Sequence, residues 1–112
     1  MSVIKTDKNG RKYEYRKELA NLVNQEVEAT LFDIKFVRAG ARLQILSQDV
    51  ELDGKIVCKH AFCNMKSTLI KKIGKKSINV KNGQSIRVLA NVVEYVNKKG
   101  QKNYSFRINS IL

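Results

Sequence analysis

A chain of 112 residues with 43% apolar content is long enough for one folded domain and too apolar to be a disordered basic tail. From the opening MSVIKTDKNG onward, no apolar run approaches a signal-peptide core or the ~18 residues of a membrane span, so a soluble, cytoplasmic protein is expected. The net charge of +12 is unevenly placed: residues 1–53 hold nine Lys/Arg against nine Asp/Glu, and residues 54–112 hold thirteen against one, Glu94, which implies a surface for a polyanion.

Residues 1–12 are polar and charged around an Asn9-Gly10 turn signal and are expected to form a flexible basic arm, leaving 13–112 as a single domain. Between Tyr13 and Asn24, Tyr15, Leu19, Leu22 and Val23 recur at helical spacing and predict a short helix. From Glu26 the period becomes two. Val27, Ala29 and Leu31 alternate with polar residues, then the phase slips so that Phe32, Ile34 and Phe36 continue, as a bulge or sharp bend near Leu31 and Phe32 would produce. After a turn at Gly40, Leu43 and Ile45 open a second strand that runs towards Val50. Asp53-Gly54 joins it as a hairpin to a third, from Lys55 to about Cys63. Asn64 is placed to cap a helix with a stripe of Met65, Leu69, Ile70 and Ile73, closed by Gly74. Following an Asn82-Gly83 turn, Ile86, Val88, Ala90 and Val92 mark a fourth strand, and Tyr104, Phe106 and Ile108 a fifth.

Three strands, a helix and two strands is the order of the OB-fold, an all-β Greek-key barrel that binds oligonucleotides on its second and third strands and on the loops after strands one and four. A ferredoxin-like or SH3-like arrangement is compatible with the same pattern. In the barrel reading those loops are Val37 to Arg42 and Asn97 to Lys102, each with cations around a glycine. Arg38, Arg42, Lys98, Lys99 and Lys102 are then the expected phosphate contacts, joined by Lys55 and Lys59 of strand three, Arg87 of strand four and Arg107 of strand five. Phe62, Tyr95 and Tyr104 are the expected stacking platforms for bases, with Tyr13 and Tyr15 able to approach from the arm. Phe32, Phe36 and Phe106 are assigned to the core. Lys66, Lys71, Lys72, Lys75, Lys76 and Lys81 form a second basic cluster around the helix, either a further path for a strand or a solvated face.

Cys58, His60 and Cys63 resemble a metal site only superficially. On a regular strand Cys58 and His60 point one way and Cys63 the other, and the chain holds no other Cys or His to complete four ligands, so no metal or cofactor is expected. No phosphate loop or nucleophile with a plausible base occurs, and Asp49, Glu51 and Asp53 are accounted for by strand alternation and a hairpin turn. The chain does not read as an enzyme.

The run from Leu46 to Phe62, a lysine-rich helix, and the run from Gly83 to Tyr95 together resemble small OB-fold proteins of phages and Gram-positive bacteria. The nearest group is the phage-encoded single-stranded DNA-binding protein of the lactococcal phage type, over about residues 26–112. The resemblance implies sequence-independent coating of single strands in phage replication and recombination, in the host cytoplasm. It also implies a homodimer or higher assembly, with replication or recombination proteins as partners. Two features depart from that group. The chain ends in a strand-like segment where many such proteins carry an acidic tail, and Phe62 and Lys59 stand where Trp and an acid are common. The alternatives are an RNA-binding OB module, a module that docks an acidic protein, and a metal-dependent nuclease.

Overall fold

Two-residue alternation dominates the sequence, and most of the chain accordingly extends into strands. A computed structural model describes residues 3–112, so Met1 and Ser2 of the expected arm lie outside the described residues. The strands are β1 (Val3–Thr6), β2 (Lys12–Tyr15), β3 (Glu26–Phe32), β4 (Lys35–Ala39), β5 (Arg42–Leu52), β6 (Lys55–Met65), β7 (Ile86–Val96) and β8 (Lys102–Ile111). One α-helix, α1 (Ser67–Gly74), lies between β6 and β7. No described helix is long and apolar enough to cross a membrane.

β3 and β4 are the halves of the first long strand, broken where Asp33 adopts a left-handed φ of 48°. The phase slip seen in the sequence is this bend. The turn at 82–84 pins it: the Ile34 amide donates to the Gln84 carbonyl at 3.0 Å, and the Gly83 amide donates to the Ile34 carbonyl at 2.7 Å. The Asn82 side-chain oxygen accepts from the Phe36 amide at 2.9 Å. Bending lets β3 pair on two sides, with β7 (Val27 opposite Ala90) and with β5 (Leu31 opposite Val50). The sheet therefore closes on itself in the circuit β3, β7, β8, β6, β5 and back to β3, with β4 extending the pairing along β5. Among the named strands every pairing is antiparallel except β6 with β8, where Asn64 and Met65 run beside Arg107 and Ile108.

Closure gives the strands an inside. Leu31, Ile45, Val50, Val88, Val92 and Phe106 fill it, Leu69 enters from α1, and Leu19 enters from a 3₁₀ turn at Lys17–Leu22. Phe106 is enclosed as expected; Phe32 and Phe36 are only half-buried.

The structure departs from the sequence reading in four places. The helix expected over 13–24 is strand β2 followed by the 3₁₀ turn, because Tyr13 and Tyr15 also satisfy a period of two. The expected arm contributes β1 and a turn, and β1 pairs with β2 as a hairpin (Ile4 opposite Glu14). Asn64 does not cap α1: β6 continues through Met65, and the N-cap is Lys66, without a side-chain capping bond. His60 has a left-handed φ of 49°, which shifts the alternation of β6 so that Cys58 and Cys63 are both buried while His60 is exposed.

Burial pushes the Cys58 thiol up to about 11 and the Cys63 thiol up to about 12, both from an ordinary value of 9.0. The Tyr104 phenol, bonded to the Tyr15 hydroxyl at 2.9 Å, is raised from 10.0 to about 12 by that hydrogen bond and then by burial. All three folded-state values are raised, so the folded protein keeps protons that the unfolded chain loses. The stabilisation is complete below about pH 9 and is lost as pH rises towards about 12. Urea midpoints should fall steadily between pH 9 and 11, and a flat profile there would contradict the enclosure of these groups.

Candidate functional site

Side chains on the outer face of the closed sheet line a trough across β5, β6, β8 and β7. Register builds it. Ser105 of β8 sits between Phe62 of β6, whose carbonyl its hydroxyl donates to at 2.9 Å, and Val93 of β7. Tyr95 stands two residues further along β7, opposite Asn103. Phe62 and Tyr95 are large aromatic side chains left 53% and 39% exposed, a poor outcome for folding alone and a suitable one for a flat ligand. One strand separates theirs and Tyr95 is offset by two residues, so their backbones are about 12 Å apart, room for a flat ring to lie between side chains.

Polar groups close the rest of a cavity of about 310 Å³, near the lower end of the range for small-molecule sites. Gln44 and Asn64 face each other across β5 and β6, and the Gln44 amide donates to the Asn64 side-chain oxygen at 2.8 Å. Arg16 completes the lining from the segment after β2. Its backbone amide donates to the Asn103 side chain at 3.0 Å, and its guanidinium donates to the carbonyls of Tyr104 at 2.8 Å and Lys59 at 3.4 Å. Arg16 is 9% exposed, and its Nε is buried without a hydrogen-bond partner. The terminal hairpin that delivers it is fastened by the Tyr15–Tyr104 edge-to-face contact at 5.6 Å and by Gln101, whose amide donates to Asp7 at 2.9 Å.

Asn64 also borders a second hollow of about 420 Å³ between the β4–β5 turn and α1, where Arg38 and Arg42 meet Ile70. The two hollows share Asn64 as a lining residue, and the second carries the cations Arg38 and Arg42. Exposed Lys98 and Lys99 ride the turn between β7 and β8, folded by the Asn97 side-chain oxygen accepting from the amides of Lys99 (2.9 Å) and Gln101 (3.0 Å). Arg107 is exposed beside Asn64.

Of the residues read as a site from the sequence, Phe62, Tyr95, Arg38 and Arg42 line the two hollows; Arg107 lines neither but pairs with Asn64, and Lys98 and Lys99 lie on the β7–β8 turn. Tyr104 is corrected. It is 4% exposed beneath Tyr15, so its ring has no free face for a base. Lys102 is paired with Glu94 at 3.4 Å and Arg87 with Glu28 at 3.3 Å, both on the surface. Lys55 stands at the β5–β6 turn, at the far end of β6 from Asn64, and Lys59 is exposed opposite Asp49. These four line neither hollow.

Arg16, Gln44, Asn64, Val93 and Ser105 were missed. For Gln44 and Asn64 a signal existed, since each is the polar partner in an alternating strand. For Arg16 none did, because its place depends on a hairpin folding back onto residues some 88 positions later. Comparison of the chain with protein-family models, with curated proteins and with solved structures finds no match.

Proposed function

We propose that this chain is a non-enzymatic single-stranded DNA-binding protein with an OB-fold barrel, of the kind phages use in replication and recombination. The fold reading is supported by the circuit. With β3 and β4 counted as one bent strand, five strands close in the order 1-2-3-5-4 and the only α-helix described lies between the third and fourth. The function reading rests on one observation: exposed Phe62 and Tyr95 line a trough whose residue Asn64 also borders a hollow lined by Arg38 and Arg42. Stacking surfaces beside cations are what a sequence-tolerant single-strand binder needs, since every base has a face and every nucleotide a phosphate.

Duplex DNA hides those faces, so the protein should bind a single-stranded oligonucleotide more tightly than the same sequence as duplex. Phe62→Ala should weaken single-strand binding by about 1–3 kcal/mol, or about 5- to 150-fold, while changing thermal stability little, because the ring is half exposed. Fluorescence anisotropy on single-stranded DNA, duplex and matched RNA reads both effects. Tighter binding to duplex would sink the proposal; a clear preference for RNA would redirect it to an RNA module.

A further inference from the structure

Arg16 is not explained by a sequence-blind groove. A guanidinium has five N–H donors and no acceptor, and only two of those donors are used, both on backbone carbonyls. The ion pairs among the described residues are Arg87 with Glu28 and Lys102 with Glu94, so this buried charge faces no carboxylate at contact distance. A buried cation without a counter-charge is costly unless something else supplies acceptors. It borders the same cavity as Phe62 and Tyr95, so whatever stacks there lies beside a group that only donates.

Resting on the single-strand reading above, we propose that this cavity is a base-reading subsite in which Arg16 selects guanine over adenine. Both purines offer the same stacking area. They differ at the edge: guanine presents two adjacent acceptors, O6 and N7, whereas adenine presents N7 next to an amino donor. A donor-only guanidinium matches the first and opposes the second. The amide pair in the same lining adds versatility, because the Gln44–Asn64 bond leaves one carbonyl oxygen and N–H groups free for another edge of the base.

The test places a single guanine or adenine at the centre of a short thymidine oligonucleotide and measures affinity for the full-length protein. We expect about 5- to 10-fold tighter binding with guanine, towards the lower end of what a bidentate arginine contact confers. Changing the ligand keeps the protein intact: 7-deazaguanine, which lacks N7, and 2-aminopurine, which lacks O6, should each fall to the adenine level. Arg16→Gln should bring the guanine oligonucleotide down to the affinity of the adenine one, whatever its effect on overall affinity; Arg16→Lys should keep part of the difference. Equal affinity for guanine and adenine, or analogues binding as well as guanine, overturns the assignment. Absence of binding to every oligonucleotide would instead reject the single-strand reading on which it rests.

Discussion

Phe106→Ala should cost about 3–5 kcal/mol of stability and lower the melting temperature by about 15–20 °C. The ring is 1% exposed, on the strand that completes the barrel, opposite Val92 of β7. Removing it takes its apolar surface out of the core and leaves a hole that a closed sheet cannot collapse to fill, because moving one strand inward breaks ladders on both sides. Against a total stability of about 5–15 kcal/mol for a domain, that loss is large enough to expose a substantial unfolded population on mild heating. Melting curves and urea titrations of the variant decide the matter, and a cost below about 1 kcal/mol would mean that the barrel is not packed as described. Phe62→Ala is the internal control: the same chemistry on the outer face should reverse the pattern, weakening binding and sparing stability.

Affinity for single strands should fall about 100-fold between 50 and 200 mM salt. Each phosphate neutralised on a single strand contributes about −0.7 to the slope of log affinity against log salt, and about five cations, Arg38 and Arg42 in the second hollow with Arg107, Lys98 and Lys99 on the neighbouring surface, give about −3.5. Arg87 and Lys102 are left out of that sum because each already has an acidic partner. The slope also measures the reach of the site. Lys66, Lys71, Lys72, Lys75 and Lys76 are exposed at α1, and a strand that continued over them from the hollow by Ile70 would roughly double the slope to about −7. A slope near −3.5 makes them a solvated face; a slope near zero would contradict a phosphate-binding surface altogether.

How legible all this was depends on the range of the interactions. The long strands and α1 were readable because apolar alternation and an apolar stripe are local patterns, and the Asp53-Gly54 hairpin announced itself. Phe62 and Tyr95, which the sequence places near the loops of an expected barrel, line the same hollow. What failed was local ambiguity or long reach. Tyr15 fits both a helical spacing with Leu19, Leu22 and Val23 and a period of two with Tyr13, so no local signal separates β2 from a helix. His60 enters the left-handed region without being glycine, and its shift in alternation has no sequence signature. Tyr104 was misassigned because the ring that covers it belongs to Tyr15, 89 residues earlier, and Arg16 was overlooked for the same reason.

The place of β8 in the sheet makes several features depend on one strand. Residues 102–111 supply Ser105 to the trough, the carbonyl of Tyr104 to Arg16, and the ladders that join β6 to β7. Loosening that strand undoes the trough, the anchor of Arg16 and the closure of the sheet together, so the amides of β8 and those facing them on β7 should exchange with solvent as one cooperative unit.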